Sequence, residues 1–116
     1  MKENVIKNKS FAFAIRIIRL YQLLCKEKKE FVLSKQLLRG GTSVGAMVRE
    51  AEHAETKADF RHKMGIAQKE INETIYWLEL LKETGYLSTE EFETIYNDAI
   101  EIIKILTSII KTAKSN

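Results

Sequence analysis

The chain has 116 residues, of which 45% are hydrophobic and 30% are charged, a balance that fits one water-soluble domain. It contains no proline and only five glycines, which argues against a β-sandwich or barrel because those folds need frequent turn residues. Its net charge is +3, but residues 1–49 carry 11 Lys and Arg against 3 Glu, whereas residues 50–116 carry 8 against 13 Asp and Glu. The basic half either neutralises the acidic half, within or between subunits, or presents a basic surface to a polyanion.

The start of the chain gives no sign of export or membrane insertion. Its first ten residues, MKENVIKNKS, do not resemble a secretory signal, and Arg16 and Arg19 interrupt the apolar run that follows. That run is too short and too charged to cross a bilayer. The single cysteine, Cys25, cannot form an internal disulfide, and its apolar helical neighbours indicate a buried, inert thiol. We therefore expect a cytoplasmic protein with no membrane contact.

The first helix is predicted to run from about Ser10, as its N-cap, to about Lys28, after a flexible polar arm at residues 1–9. Apolar residues cover more than half of its circumference. Since only one side of a helix faces the core of a four-helix bundle, the excess predicts an oligomer interface on this helix. Two adjoining stripes make up the apolar surface: Ala14, Ile18, Tyr21 and Cys25, and next to them Phe13, Ile17, Leu20 and Leu24.

The second helix lies in the segment 33–59, which is rich in small residues and ends its helical pattern near residues 53–56. A glycine inside a helix costs about 1 kcal/mol relative to alanine, so three glycines within six residues need compensation. We expect neighbouring helices to pack closely along Gly41, Gly45 and Ala46. The alternative is a loop at residues 39–42.

Capping signals define the remaining two helices. Thr56, with Asp59 three residues later, predicts the start of the third helix, and Gly85 predicts its end. The sequence Ser88-Thr89-Glu90-Glu91 is an S-x-x-E capping box at the start of the fourth helix. Four helices of about 20 residues joined by short turns predict an all-α, antiparallel, up-down-up-down four-helix bundle, in a single domain spanning residues 1–116.

One spacing suggests a metal site. Glu50 and His53, and likewise Asp59 and His62, lie three residues apart, so each pair shares one helical face, as in di-iron bundles. However, the pairs flank a turn, and Asp59 is better placed as a cap. We therefore expect no metal and no cofactor, with a bundle using Glu50 and His53 as the less favoured alternative.

No residue set indicates catalysis. Ser43 has no histidine beside it in the sequence, and Cys25 has no basic neighbour on its own face. The segment 39–43, RGGTS, lacks the lysine and the preceding strand of a phosphate-binding loop. We expect a protein that is not an enzyme. The other polar residues are predicted to form a register-fixing network between the second and third helices: Arg39, Arg49, Glu50, Lys63, Lys69, Glu70 and Glu73.

A basic surface at the end of the first helix is the candidate binding site. In this interpretation the basic side chains contact phosphates and do not recognise individual bases. Phe31 is the only aromatic residue among them that could stack on a base. The alternative is a solvated turn in a protein-binding scaffold. The predicted phosphate contacts are Lys26, Lys28, Lys29, Lys35 and Arg39.

A Leu-x-Arg-x-x-x-Ser-[IV] segment runs from Leu37 to Val44. It is followed by Asp59-Phe60, Ile66-Ala67 and a Glu-rich stretch from Lys69-Glu70 through Glu73 to Trp77. With this pattern the sequence from Leu33 to Phe92 resembles the four helix bundle protein family, also called the 23S rRNA intervening-sequence proteins, and the resemblance extends from about Lys9 to Lys114. Met47 departs from it, since many relatives carry Asn there in an Asn-[IV]-x-Glu run; Glu50 is retained.

This resemblance implies an antiparallel four-helix bundle that assembles into a homopentamer. It extends to the accessory protein of diversity-generating retroelements, a basic pentamer associated with nucleic acid and reverse transcriptase. The family has no known enzymatic activity, and its molecular function is largely unassigned. We therefore expect a non-enzymatic, homo-oligomeric scaffold that binds RNA or DNA; the alternative is a protein–protein scaffold with no nucleic-acid binding.

Overall fold

The computed structural model describes residues 2–115 as four antiparallel helices. They are α1 (Lys2–Lys26), α2 (Leu33–Glu52), α3 (Lys57–Glu83) and α4 (Thr89–Ser115). Each helix packs against its neighbours in the chain, and α1 also packs against α4, in a bundle 47 Å long. The predicted all-α, up-down-up-down four-helix bundle is confirmed.

No helix in the region 2–115 is long and apolar enough to cross a membrane. Instead, one apolar stripe from each helix meets the others in a common core. Apolar residues at three-and-four spacing supply this core, because that spacing places their side chains on one helical face. The largest fully buried side chains include Phe13, Ile17 and Leu24 of α1, Leu37 and Val44 of α2, Met64, Ile71 and Leu78 of α3, and Ile102 and Leu106 of α4.

Helix α1 begins at Lys2, so the prediction of a start near Ser10 is wrong. Ile6 lies seven residues before Phe13, on the same face, and is completely buried. Burying an isoleucine contributes about 1.5–3 kcal/mol, which favours the extra turns. The segment predicted as an arm is therefore helical from Lys2; Met1 lies outside the described residues. Ser10 is an internal residue whose Oγ donates to the carbonyl of Lys7 at 3.2 Å.

The glycines of α2 lie where α1 and α3 approach it most closely. A Cβ added to Gly41 would lie 2.6 Å from Cγ1 of Ile17, and one added to Gly40 would lie 2.7 Å from Oγ1 of Thr74. Close packing is confirmed, and the alternative loop at residues 39–42 is wrong because α2 is continuous there. Gly45 makes ordinary contact with the backbone of α1. Ala46 is exposed, so its predicted part in this packing is wrong.

The predicted caps are present. The amide of Asp59 donates to Oγ1 of Thr56 at 2.9 Å. At the start of α4, the Ser88 amide donates to Glu91 Oε1 at 2.8 Å and the Glu91 amide donates to Ser88 Oγ at 3.1 Å. Gly85 follows α3 with a φ of 86°, a left-handed conformation that glycine adopts without strain. These caps fix where α3 begins and where the chain reverses into α4.

Candidate nucleic-acid interface and neighbouring surfaces

The predicted basic residues lie at the end of the bundle that carries the α1–α2 and α3–α4 turns, which we call the double-turn end. Lys26 is the last residue of α1, and Lys28 and Lys29 lie in the following turn. Lys35 is in the first turn of α2, and Arg39 follows four residues later on the same side of that helix. All five side chains are exposed, so each is free to meet a phosphate.

The turn that holds these lysines is fixed by Glu30, a residue that the sequence interpretation missed. Its Oε2 accepts from the amides of Val32 at 3.2 Å and Leu33 at 3.1 Å, and its Oε1 accepts from the amide of Ser34 at 2.7 Å. The hydroxyl of Ser34 donates back to the Glu30 carbonyl at 2.7 Å. Glu30 therefore caps α2, whose first amides have no partner within the helix.

The pKa of Glu30 reflects two opposing effects. Burial of its carboxylate raises the pKa, but the amide hydrogen bonds from Ser34, Leu33 and Val32 outweigh burial and hold the pKa below its ordinary value of 4.5. The carboxylate is thus charged near neutral pH, and both of its oxygens accept hydrogen bonds from amides at the start of α2. Lys29, just before it, has a φ of 55°, a left-handed conformation that costs a non-glycine residue about 1 kcal/mol.

Acidic residues limit the basic surface on its α4 side. Glu90 and Glu91 occupy the first turn of α4, at the same end of the bundle. The backbone amide of Ser88 is the main cause that lowers the pKa of Glu91, and its hydroxyl and the charge of Lys28 lower it further, although burial acts in the opposite direction. Lys28 therefore lies near a carboxylate. The basic surface is open mainly on the side of α1 and α2.

Two exposed apolar side chains accompany the lysines. Phe31 is 59% exposed and Val32 is 73% exposed. An exposed aromatic ring beside cationic side chains can stack on a base of a single-stranded nucleic acid. The same pair can equally enter an apolar pocket of a protein partner.

A second apolar surface runs along α1 and includes the predicted stripe of Ala14, Ile18, Tyr21 and Cys25. Phe11 extends that stripe by one step, and we call these five residues the α1 outer stripe. Phe11 is 52% exposed and Ile18 is 39% exposed, while the other three are half-buried. The stripe borders α2: Phe11 lies under the guanidinium of Arg49, 5.1 Å from its ring centroid, and Cys25 Sγ lies 3.7 Å from Ser34 Oγ.

The structure separates the residues of the metal-site candidate. Glu50, His53 and Asp59 line one shallow cleft, but His62 lines a different one between α3 and α4. Within the first cleft, Lys63 Nζ donates to Glu50 Oε1 at 3.1 Å. Within the described part of the chain, no three His, Cys, Asp or Glu residues are placed to hold a metal ion.

Of the register-fixing network predicted between α2 and α3, the described residues form one ion pair, between Lys63 and Glu50. Arg49 faces α1 instead, through its contact with Phe11. Oε2 of Glu70 is buried beside Gly40 without a hydrogen bond. Gly40, which packs against Thr74, is the glycine that contacts α3, and the predicted network is wrong in extent.

Each of the two candidate nucleophiles contacts a polar group of α2. Ser43 Oγ donates to the carbonyl of Arg39 at 2.6 Å, one turn earlier in α2. Cys25 is half-buried rather than fully buried, and its near neighbour is Ser34. Neither lies beside a histidine in these contacts.

Comparisons with known proteins agree on one family. The family model for the 23S rRNA-intervening sequence protein matches residues 2–108. A crystal structure of a protein of unknown function from the S23 ribosomal protein family of Bacteroides thetaiotaomicron superimposes with a TM-score of 0.95 and 59% sequence identity. The match covers 96% of this chain and 99% of that one. No curated protein matches. The chain belongs to the 23S rRNA-intervening sequence protein family.

Proposed function

We propose that this protein is a non-enzymatic, cytoplasmic scaffold that assembles into a homo-oligomer and binds the phosphates of RNA or DNA at the double-turn end. The observation that carries the proposal is the α1 outer stripe, because its residues Phe11 and Ile18 remain exposed on the surface of the described bundle. The family resemblance makes a pentamer the expected form of the assembly. No cofactor is part of the proposal.

A second copy of the chain is the expected occupant of the α1 outer stripe. Exposed apolar surface that forms a continuous stripe marks an interaction site more often than scattered apolar residues do. A face with these properties suits helix-on-helix packing between subunits.

The oligomer is tested by mass measurement in solution. The wild type is expected to have a mass several times that of the 13.4 kDa chain at micromolar concentration. The double variant Phe11→Glu, Ile18→Glu is expected to be a folded monomer, because two carboxylates in an apolar interface lose their hydration. Tyr76→Glu is the matched control, since Tyr76 is 54% exposed but lies on α3. A monomeric wild type would contradict the assembly.

Binding of nucleic acid is supported by the exposed cations at the double-turn end. Lys26, Lys28, Lys29, Lys35 and Arg39 make no ion pair with any acidic side chain of the described chain. Cations that remain unpaired can release counterions from a phosphate backbone. In an oligomer, several copies of this cluster would act together, which strengthens binding through multivalency.

Fluorescence anisotropy with single- and double-stranded RNA and DNA tests this site. Binding is expected to weaken steeply with salt, and the double variant Lys28→Gln, Lys29→Gln is expected to reduce the slope of log affinity against log salt by about 2. The matched control is Lys104→Gln, Lys111→Gln, which removes the same charge from α4. Equal losses in both variants would place binding outside the double-turn end.

A protein-binding scaffold is the second candidate, and a specific observation favours it. Phe31 and Val32 present apolar surface at the double-turn end, and Lys28 lies close enough to Glu91 for its charge to lower the pKa of that carboxyl. Absence of nucleic-acid binding even at low salt would support this candidate. A metal-dependent function is disfavoured because Glu50, its main candidate ligand, is paired with Lys63.

A further inference from the structure

A cleft of about 440 Å³ lies between the first half of α3 and the end of α4, far along the bundle from the α1–α2 turn. We call it the α3–α4 cleft. Arg61, His62 and Lys69 border it from α3, and Lys114 borders it from α4. Among residues 2–115, no acidic side chain lines it. Its volume falls within the range of small-molecule sites.

The basic side chains of this cleft have no partners within residues 2–115. None of Arg61, His62, Lys69 and Lys114 makes an ion pair or a side-chain hydrogen bond there, a property that they share with the cations of the double-turn end. Glu73 lies four residues after Lys69 on α3, at a spacing that permits an ion pair, but none forms. Nε of Arg61 is buried without an acceptor. A buried donor without an acceptor is costly, and movement of the Arg61 side chain toward an anion in the cleft would relieve that cost.

Gly65 provides the space. A Cβ added there would meet no heavy atom within 4 Å, in contrast to the crowded positions of Gly40 and Gly41 in α2. Ile66 and Ile110 line the cleft with apolar surface. The cleft thus combines room, an apolar wall and several cations, which is the composition of a binding site for a small anion.

We propose that the α3–α4 cleft binds a small phosphate-bearing anion. A phosphate group has several oxygens, and it can accept hydrogen bonds from arginine and lysine side chains that approach from two helices. A single carboxylate would use fewer of these donors. The proposal does not depend on the double-turn end or on the oligomer.

Calorimetric titration of the full-length protein with pyrophosphate tests the site. The wild type is expected to bind. The double variant Arg61→Gln, Lys69→Gln is expected to bind at least about tenfold more weakly, because it removes two charge-assisted interactions. Gly65→Leu is expected to abolish binding by filling the cleft while leaving every charge in place. Leucine also favours the helix over glycine, so this variant should remain folded, which circular dichroism checks.

The matched control is Arg19→Gln, Lys104→Gln, which removes two exposed charges outside both the cleft and the double-turn end and is expected to bind pyrophosphate like the wild type. No binding by the wild type would overturn the proposal. Binding that survives Gly65→Leu would also overturn it, since the anion would then lie elsewhere.

A single-stranded oligonucleotide added to the same titration distinguishes two sources of phosphate. Displacement of pyrophosphate from the wild type that persists in Lys28→Gln, Lys29→Gln would show that the cleft accepts a backbone phosphate. Binding of pyrophosphate without such competition would show that it takes a small phosphorylated molecule. Both results support a phosphate site, and they assign its ligand.

Discussion

Two glycines in neighbouring helices show opposite uses of the same residue. Gly41 in α2 lies against Ile17, so closely that a Cβ would be 2.6 Å from a side-chain carbon. Gly65 in α3 has no atom within 4 Å of that position. Both glycines cost their helices about 1 kcal/mol relative to alanine. Only at Gly41 does close packing within the described chain offset that cost.

This difference between Gly41 and Gly65 distinguishes a glycine required by the fold from one that the fold does not explain. A glycine that brings two helices together contributes to the fold, and its absence of a side chain is explained by the contact. A glycine that faces open space destabilises its helix without any gain in packing. At Gly65, the open space is bordered by unpaired cations, which is the physical basis for treating that position as part of a binding site.

The largest expected effect is that of Gly41→Ala. The added methyl group overlaps Ile17, and overpacking costs more than the gain in helix propensity, so the free energy of unfolding should fall by about 2 kcal/mol. Denaturant unfolding measures it. In the background of Ile17→Ala, the same substitution should instead be stabilising, because the overlapping atoms are gone. A loss of similar size in both backgrounds would show that contact with Ile17 is not the reason for this glycine.

Removing the cap of α2 is expected to have the next largest effect, and it tests whether α2 depends on its first turn as well as on its glycines. Glu30→Ala leaves the amides of Leu33 and Ser34 without their acceptor and should lower the free energy of unfolding by about 1.5 kcal/mol. Glu30→Gln keeps one acceptor oxygen and should lose about half as much. Equal losses in the two variants would contradict a capping role.

Gly65→Ala is expected to change stability in the opposite direction to Gly41→Ala. The methyl group meets no neighbour, so the free energy of unfolding should rise by about 1 kcal/mol through helix propensity alone. Thermal unfolding under the same conditions as for Gly41→Ala gives the comparison. A decrease in stability would mean that another group occupies this space in the native assembly.

Acid should produce the smallest effect. The folded-state pKa values of Glu30 and Glu91 lie below the ordinary 4.5, so the unfolded chain binds more protons in that range. Their contribution is fully present above pH 4.5 and is lost as the pH falls through the folded pKa values. A protonated carboxyl still accepts a hydrogen bond, so the loss should be smaller than that of Glu30→Ala. Unfolding of Glu30→Ala should depend less on pH in this range.

The sequence predicts most of the fold because the relevant signals are local. Thr56, Ser88 and Gly85 act within one turn of a helix end, where a short motif determines the hydrogen bonds. The apolar stripes depend only on helical spacing. The start of α1 is missed because a single isoleucine, Ile6, decides it, and its burial depends on the other helices.

The surfaces are predicted less well because they depend on distant parts of the chain. Lys114 and Arg61 border one cleft although 53 positions separate them in the sequence. The role of Glu30 is not visible in the sequence. A capping side chain normally belongs to the N-cap residue, which is Val32 here, whereas Glu30 lies two residues before it. His62 shares a spacing with Asp59, yet it lines a different cleft from Glu50.

The contacts of Gly40 and Gly41 with two different helices also determine how amide protons exchange with solvent. The middle of α2 is held between α1 and α3, so opening it requires both neighbours to separate. Its amides should exchange with deuterium only through global unfolding, whereas the amides of the last turn of α4 should exchange through local fraying. The slowest-exchanging protons of the chain are thus expected in the helix that has the poorest intrinsic propensity at its centre.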